Sequence, residues 1–479
     1  MKFSREESPI ILMDEENKRD MTIRSFTKIS TLPFPVEALF SWHKRPGAIN
    51  RLTPPWVHMD VIKKTGGILP DATVSLLMGK KPFQTTWHAR HILYEENRMF
   101  RDMQTKGPFS RWTHTHLFHE RGPSRTDMED HIEYALPFHP IGTMMAGRVV
   151  DAMIDRMFTC RHHVLAHDMR AHEKAGLPPL RILVSGASGL IGSSLVPFLT
   201  TGGHEVFRLV RKKPLRHDDE IFWDPAAGII DTSALGHVDV VIHLAGENIG
   251  EKKWTPERKK LLIDSRIKST TLLAKAVSAL SPKPELFINA SAIGFYGDRG
   301  EQPLTEKDDP GDLYIAEICR KWEEAAVRAV DPAIRTVLMR IGIGLSPKGG
   351  ALGQLLFPFQ AGLGASIGRG NQVMSWIGID DILDAFLHVI TVKSLSGPVN
   401  AVSPTPVTNG EFTRTLANVL NRPAWFRIPK AAIDLVFGEM GREILLSSTN
   451  VLPEKLVQTG FEFRHPSLEG VLRHLLGKY

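Results

Sequence analysis

Two patterns of apolar and polar residues divide the chain into two parts. In the first part the two classes alternate one by one. Along one such segment Met128, Ile132, Tyr134 and Leu136 fall on one face, and charged residues fall on the other. This period of two predicts a half-buried antiparallel strand. In the second part, short and wholly apolar runs alternate with helical stretches, which is typical of a parallel sheet with helices on both faces.

The first part, residues 21–175, is predicted to be an α+β domain in which a curved antiparallel sheet grips one long helix. A helix is expected over Phe34–His43, several strands follow it, and a helix over Gly142–Ala175 closes the domain. Gly176 is a favoured residue for ending that helix, and two prolines soon after it prevent continuation. The boundary between the two parts is therefore expected just after residue 175.

The second part is predicted to be a doubly wound α/β domain over residues 180–408, followed by a C-terminal cap over residues 409–479. In such a fold the ligand binds at the carboxyl ends of the parallel strands. The predicted elements include strands over Asp239–His243, Leu286–Ala290 and Arg335–Arg340, and helices over Pro256–Ala279 and Leu313–Val330.

A glycine motif, Gly186-Ala-Ser-Gly-Leu-Ile-Gly192, joins a strand over Arg181–Ser185 to a helix over Ser193–Thr201, and a second strand follows over Glu205–Val210. The first glycine permits a tight turn, the second lets a pyrophosphate approach the backbone, and the third lets the helix pack on the strand. This context predicts nucleotide binding, with a glycine-rich structural turn as the alternative. The predicted cofactor-binding residues here are Gly186, Ser188, Gly189, Leu190, Ile191, Gly192, Leu244, Ala245 and Gly246.

The end of the second strand indicates which nicotinamide cofactor would fit. NAD-binding domains place an acid there for the ribose 2′-hydroxyl. Here the strand runs into Arg211-Lys212-Lys213, and the next acid is Asp218. Arg211, with Lys212, would suit a 2′-phosphate through charge-assisted hydrogen bonds. A solvated basic loop is the alternative, and the sequence favours NADP over NAD.

Composition narrows the classes of function. The 479 residues carry a net charge of +6 and are 42% hydrophobic, which fits a globular protein of two to four domains. Basic residues are interspersed with acids, so no nucleic-acid partner is expected. No apolar stretch reaches the length of a membrane span. Cys160 and Cys319 form no disulfide framework and fit a cytoplasmic location. Residues 1–20 are polar and are predicted to be a mobile leader.

Histidines are frequent in the first part. His114 and His116 alternate on one strand face, as His88 and Arg90 do on another. Two histidines at this spacing are able to ligate a metal. No cysteine or acid completes a ligand set at a recognisable spacing, so the sequence assigns no metal and predicts a polar sheet face with cross-strand pairs.

The first part resembles the START-like, or polyketide cyclase/dehydrase-like, ligand-binding domains. The resemblance lies in the order of its elements and in the runs Phe40–Gly47 and Lys106–Trp112. It implies a helix-grip fold with an apolar cavity between sheet and helix, and a hydrophobic small molecule as its ligand.

The second part resembles the extended short-chain dehydrogenases, and more narrowly the epimerase-family proteins, some of which carry a START-like domain in front. The resemblance implies a Rossmann domain and a small-molecule substrate of unspecified identity. The runs that carry it are Gly186–Gly192, His243–Asn248, Trp254–Arg258, Ser291–Asp298, Trp322-Glu323 and Ser375–Asp381.

The catalytic pattern of that family is incomplete here. Extended short-chain dehydrogenases use Tyr-x-x-x-Lys with a Ser or Thr, and the Lys lowers the pKa of the Tyr. Tyr314 opens the expected helix, but Ile318 stands four residues on, and Lys321 is about 10.5 Å along the helix. Without a Lys beside it, this Tyr is expected to stay protonated at neutral pH. The candidate catalytic residues are Ser291, which is one position from the usual Ser, Tyr296, for which a packed aromatic is the alternative, and Tyr314.

Two functions remain open. The chain is either an NADP-dependent oxidoreductase or epimerase with an altered proton relay, whose START-like domain presents a hydrophobic substrate, or a non-catalytic NADP(H)-binding sensor. The first function needs an acid or base near the nicotinamide, and the second needs none. The sequence favours the enzyme, because residues 342–370 and 409–472 are long enough to build a substrate lid.

Overall fold

A computed structural model describes residues 23–137, 141–212 and 219–479. The predicted leader, residues 1–20, lies outside the described residues. By the density of contacts the chain divides into two compact units. One comprises the described residues up to Phe40 together with Met59–Phe158, and the other comprises Ser41–His58 and Thr159–Tyr479. The division falls inside a long helix, whereas the sequence placed the domain boundary after the end of that helix.

The first unit is built on a seven-stranded antiparallel sheet with the order β1-β7-β6-β5-β4-β3-β2. The long helix predicted over Gly142–Ala175 is confirmed to within one residue. The elements up to its end are β1 Arg24–Leu32, α1 Val36–Lys44, α2 Ala48–Arg51, β2 Met59–Lys64, β3 Thr73–Met78, β4 Thr85–Glu95, β5 Met99–Lys106, β6 Arg111–Gly122, β7 Arg125–Ala135 and α3 Ile141–Ala175.

One face of this sheet packs against α3. Trp112 on β6 and Tyr134 on β7 form an apolar cluster with Ile154 and Phe158 of the helix. The alternation predicted for β7 is confirmed, since its residues are buried at every second position. The alternation of apolar and polar residues along β7 therefore arises because one face of the sheet is covered by the helix and the other is open to solvent.

The polar sheet face predicted around His114 and His116 has to be corrected, because the structure places both side chains on the covered face of the sheet. Both side chains are about 5% exposed and lie on the buried face of β6, between the apolar residues Trp112 and Phe118. Cross-strand partners exist, but they are Asp102 and Asp130 from the neighbouring strands. The alternation of residues along β6 shows which side chains share a face. It does not show which face is covered by the helix and which is open to solvent.

The second unit contains an eight-stranded sheet with the order β11-β10-β9-β8-β12-β13-β15-β20, parallel throughout except at β11. Its elements are β8 Arg181–Ser185, α4 Gly192–Thr201, β9 Glu205–Val210, β10 Glu220–Asp224, β11 Ile229–Ile230, β12 Val240–His243, α5 Pro256–Ser278, β13 Leu286–Ala292, β14 Pro303–Leu304, α6 Tyr314–Ala329, β15 Arg335–Ile341, β16 Ile343–Leu345, α7 Gly350–Gln360, β17 Ala365–Ile367, β18 Val373–Met374, β19 Trp376–Gly378, α8 Ile379–Thr391, β20 Gly397–Ala401, β21 Val407–Thr408, α9 Asn409–Leu420, β22 Phe426–Ile428, α10 Lys430–Phe437, α11 Glu439–Leu445, β23 Asn450–Val451, α12 Glu454–Gln458 and α13 Leu468–Leu476.

Both faces of this sheet are covered, which explains the wholly apolar strands. On β8, Ile182 and Val184 belong to one buried cluster and Leu183 to the cluster on the opposite face. The predicted doubly wound α/β fold is confirmed. No helix among the described residues is long and apolar enough to cross a bilayer.

Candidate functional site

The glycine loop that joins β8 to α4 lies where the strand order reverses, because β8 stands between β9 and β12. Doubly wound sheets bind ligands in the crevice at this point. Gly186 has a φ of +70°, and a Cβ there would lie 2.8 Å from the carbonyl carbon of Leu244. Only glycine accepts both this conformation and this close approach.

The other two glycines of the motif have different surroundings. A Cβ on Gly192 would lie 2.3 Å from the carbonyl oxygen of Gly186 and 2.7 Å from the Cα of Ala187, because α4 begins against the loop backbone. A Cβ on Gly189 would have one described atom within 4 Å, the Gly186 carbonyl oxygen at 3.2 Å. Ser188 and Gly189 are exposed. The backbone at Gly189 is therefore open to a ligand, and the nearby amides of the helix start favour an anion.

The residues after β12 are held beside this loop by the hydroxyl of Ser185, which also contacts a buried histidine. The hydroxyl of Ser185 lies 2.6 Å from Nδ1 of His243 and accepts hydrogen bonds from the backbone N–H groups of Leu244 (3.1 Å) and Ala245 (3.3 Å). Burial lowers the pKa of His243 to about 3, so the imidazole stays neutral. The structure thus brings the predicted residues Leu244 and Ala245, with Gly246 next in the chain, to the glycine loop.

The basic residues predicted for the 2′-phosphate follow β9 directly. Arg211 and Lys212 are exposed. Asp218, the first acid after the strand, lies outside the described residues. The next acid, Asp219, accepts a hydrogen bond from Arg208 at 2.7 Å. That acid is already neutralised by Arg208, whereas Arg211 is exposed beside the end of the strand.

A chain of buried polar groups connects the ends of β13, β15 and β20. The hydroxyl of Ser291 donates to Oε1 of Glu323 (2.7 Å), and Arg340 pairs with both oxygens of the same carboxylate at 2.8 Å. Arg340 also donates to the hydroxyl of Tyr296 (2.9 Å), which donates to Asn400 (2.7 Å). Burial raises the pKa of Tyr296 to about 12. Its hydroxyl is therefore protonated at neutral pH and does not act as a base.

Tyr314, at the start of α6, is also engaged. Its hydroxyl donates to the backbone carbonyl of Lys259 at 2.8 Å. Burial, together with the charge of Glu317, raises its pKa to about 12. Ile318 is 2% exposed in an apolar cluster, and Lys321 pairs with Glu317 at 2.6 Å. The lysine that would lower the tyrosine pKa is thus replaced by a core residue.

Glu323, Arg340 and Asn400 were not predicted as site residues, although Glu323 lies in the run Trp322-Glu323 that carries the family resemblance. Each carried a signal in its pattern, because each is a polar residue at a buried position. Arg340 interrupts an otherwise apolar stretch of β15, and Glu323 lies on the buried face of α6. Which groups they meet depends on pairing between distant elements and is not visible in the local sequence.

Comparison with known families agrees with this architecture. The model of the NAD-dependent epimerase/dehydratase family matches residues 182–401, and that of a domain of unknown function, DUF1731, matches residues 428–475. The polyketide cyclase/dehydrase and lipid transport family matches residues 32–159. Each of the two parts distinguished in the sequence therefore matches its own family.

Individual relatives extend the comparison. The chain is 40% identical over 287 residues to epimerase family protein Mb2239 of Mycobacterium bovis, covering 60% of this chain and 94% of that protein. A nucleoside-diphosphate sugar epimerase from Corynebacterium glutamicum has a similar structure, with 31% identity and a TM-score of 0.77 over 95% of this chain and 90% of that one. The human epimerase family protein SDR39U1, solved with NADPH, is 32% identical, with a TM-score of 0.58 over 63% of this chain and all of that one.

Proposed function

The chain belongs to the epimerase family, and we propose that it is an NADP(H)-dependent oxidoreductase or epimerase that acts on a small apolar substrate. The observation that carries the proposal is the open backbone at Gly189, between two glycines that are packed against protein backbone. A side-chain-free, exposed segment at a helix start is what a pyrophosphate requires. That the human relative SDR39U1 was solved with NADPH supports the choice of cofactor.

The residues that would hold the cofactor follow from this placement. Gly186–Gly192 would contact the pyrophosphate, Leu244–Gly246 would line the crevice, and Arg211 with Lys212 would bind the 2′-phosphate. When bound, NADP(H) supplies hydride transfer. Ser185 holds the crevice backbone in place, and its partner His243 is neutral and adds no charge there.

The proton relay of this proposal uses Ser291 rather than Tyr314. A phenol with a pKa of about 12 is a poor base at neutral pH. Ser291 lies near the carboxyl end of β13, and its hydroxyl donates to the carboxylate of Glu323. Ser291 is the group that we place against the substrate as the proton donor, and its proton would be replaced from solvent. Glu323 is the positioning residue, because its carboxylate orients the Ser291 hydroxyl through the 2.7 Å hydrogen bond.

A non-catalytic sensor is the second candidate function. The arrangement of α6 favours it, since the hydroxyl of Tyr314 bonds a backbone carbonyl and Ile318 occupies the lysine position in the core. Both features remove the usual relay while leaving the nucleotide crevice intact. A sensor requires only that crevice.

We further propose that residues 21–175 form a START-like helix-grip domain, which presents a hydrophobic molecule to the second part. Its match to the polyketide cyclase and lipid transport family supports this assignment. We keep residues 180–408 as the Rossmann domain and 409–479 as a cap over the substrate. Exposed apolar side chains in that cap, Trp425 and Leu435, fit an apolar substrate.

Turnover distinguishes the two candidates. Purified protein is incubated with NADPH and a panel of carbonyl compounds, and absorbance of the reduced nicotinamide is followed. Ser291→Ala should lower kcat by about 10²-fold or more, because it removes the proton donor. Tyr314→Phe should lower it by less than about 10-fold, since that hydroxyl is engaged elsewhere.

The control in both variants is an unchanged affinity for NADPH. A loss of several orders of magnitude in Tyr314→Phe, with Ser291→Ala active, would contradict the relay. No turnover in any form, with tight NADPH binding retained, would establish the sensor instead.

A further inference from the structure

Four ionisable side chains, three buried and one half-buried, meet on the helix-facing side of the first unit's sheet. His114 and His116 come from β6, and Asp102 and Asp130 come from its two neighbours, β5 and β7. His114, His116 and Asp130 are each at most 5% exposed. The ring of His114 packs edge-on against Phe158 of α3, with centroids 5.2 Å apart. The group therefore lies in the covered interior of the unit, outside the nucleotide crevice.

The distances among Asp102, His114 and His116 fit a metal ion better than a set of hydrogen bonds. Asp102, His114 and His116 each offer a ligand atom, and these atoms all lie within 4.8 Å of one another. Nδ1 of His114 is 3.6 Å from Oδ2 of Asp102. That distance is too long for a hydrogen bond. It is close to the separation of about 3.4 Å between two ligands bonded at about 2.1 Å to one tetrahedral ion.

Asp130 occupies the place of a supporting carboxylate. Its Oδ1 lies 3.0 Å from Nε2 of His114 and 2.6 Å from Nδ1 of His116. In metal sites the ring nitrogen opposite the metal donates to a carboxylate, which fixes the tautomer and the ring orientation. Oδ1 of Asp130 would accept from Nε2 of His114 in this way and also lies close to Nδ1 of His116, and the other nitrogen of His114 then faces Asp102.

We propose that Asp102, His114 and His116 bind a divalent transition-metal ion, with Zn²⁺ as the ion that best suits two imidazoles and one carboxylate. The ion would neutralise two carboxylates that the fold places in a covered interior, where charge without compensation is costly. The spacing of the two histidines on β6 was visible in the sequence, but the acids that complete the group were not, because Asp102 and Asp130 come from other strands.

Three protein ligands leave one coordination position of a tetrahedral ion open. His91, on β4, is directly opposite Asp102 in the strand register, and its buried Nδ1 makes no hydrogen bond to any described residue. Either His91 or an oxygen of a bound molecule would fill the fourth position. A carboxylate or carbonyl oxygen on an otherwise apolar molecule is the ligand chemistry that suits this interior.

The experiment uses the untagged full-length protein, stripped with a chelator and then titrated with Co²⁺ and with Zn²⁺. We expect one ion per chain, the visible absorption of four-coordinate Co²⁺, and a rise in Tm with Zn²⁺, since a ligand that binds the folded state stabilises it. His114→Gln and His116→Gln should each abolish the Co²⁺ absorption. Asp130→Asn should weaken binding by about 10- to 100-fold.

His131→Gln is the matched control, because His131 lies on the other face of β7 and contacts Thr27. It should bind Co²⁺ as the unmodified chain does. If His114→Gln does not fold, Asp102→Asn replaces it, since Asp102 is the least buried of the set. The proposal is overturned if the folded, unmodified protein takes up no stoichiometric ion, or if the ligand variants bind as tightly as His131→Gln.

Discussion

At the scale of single residues, we expect the discrimination between NADP and NAD to depend chiefly on the exposed cation Arg211. Arg211 follows β9 directly, and the nearby acid Asp219 is paired with Arg208. We expect NADPH to bind more tightly than NADH by about 1.5–3 kcal/mol, the value of a hydrogen bond to a charged group.

Arg211→Ala should remove most of that difference and leave NADH affinity nearly unchanged, as measured by fluorescence titration with both nucleotides. Arg328→Ala, at an exposed site on α6, is the matched control and should alter neither affinity. An equal fall in both affinities would mean that Arg211 supports the fold rather than the phosphate.

A second prediction at this scale concerns Asp381 and the pH dependence of the free energy of unfolding. Burial, reinforced by the charge of Asp384, raises the pKa of Asp381 to about 7. The folded protein holds this proton more tightly than the unfolded chain, whose Asp has a pKa of about 3.9. The stabilisation is therefore fully present below about pH 4 and is lost as the pH rises through about 7.

Asp381→Asn should remove this loss and keep the oxygen that accepts the backbone N–H of Arg464 at 2.6 Å. At pH 8 the variant should be more stable than the unmodified chain by more than about 1 kcal/mol, since each pKa unit corresponds to about 1.4 kcal/mol. Denaturant unfolding at pH 5 and pH 8 measures the change. Asp312→Asn, at an exposed position, should leave the pH dependence as it is, and a similar slope in both variants would refute the assignment.

At the scale of elements, the glycine motif makes a prediction that separates packing from binding. A methyl group on Gly192 would lie 2.3 Å and 2.7 Å from backbone atoms of the loop. These atoms have little room to move, because the loop is held between β8 and α4. A methyl group on Gly189 would meet one carbonyl oxygen at 3.2 Å. Gly192→Ala should therefore destabilise the protein by about 1–3 kcal/mol, as overpacking does.

Gly189→Ala is its matched control and should change the free energy of unfolding by less than about 1 kcal/mol. Urea unfolding of the two variants measures both values. Equal destabilisation would show that the loop around Gly189 is packed as tightly as that around Gly192, and that no open cradle exists there.

The elements themselves were largely predictable from the sequence, because their signals are local. The strand Glu205–Val210 is confirmed at both ends. The predicted helices are one residue longer than α5 at its C-terminal end and one residue longer than α6 at each end. Thr255 caps α5, and Pro256 follows it as the first residue of the helix. Because both signals are adjacent in the sequence, the start of this helix was predictable. The polar clusters were not predictable, since Glu323 and Arg340, or His114 and Asp130, meet only through strand and helix pairing.

At the scale of the whole molecule, the second unit includes a segment that the sequence assigned to the first domain. Residues 41–58 belong to it, and Arg51 donates to Asp168 of α3 at 2.7 Å and to Asp380 of α8 at 3.0 Å. All three side chains are buried. A domain boundary drawn after residue 175 therefore cuts through a network of buried ion pairs.

Arg51→Ala should destabilise the chain by about 3 kcal/mol or more, because it leaves two buried carboxylates with less compensation. Thermal and denaturant unfolding measure the loss. Asn50→Ala, at the exposed neighbouring position, is the control. Equal stability of the two variants would mean that residues 41–58 contribute little to the second unit.

We propose that NADP(H) binds with its pyrophosphate over the open glycine backbone, and the deciding measurement is the titration of NADPH into the unmodified protein and into Gly189→Asp. The carboxylate would occupy phosphate space and repel the phosphate charge. Val327→Asp, which adds the same charge at an exposed site on α6, is the control. Gly189→Asp should fold but no longer bind NADPH, while Val327→Asp should bind NADPH as the unmodified protein does. Unchanged NADPH affinity in folded Gly189→Asp would rule out this binding mode.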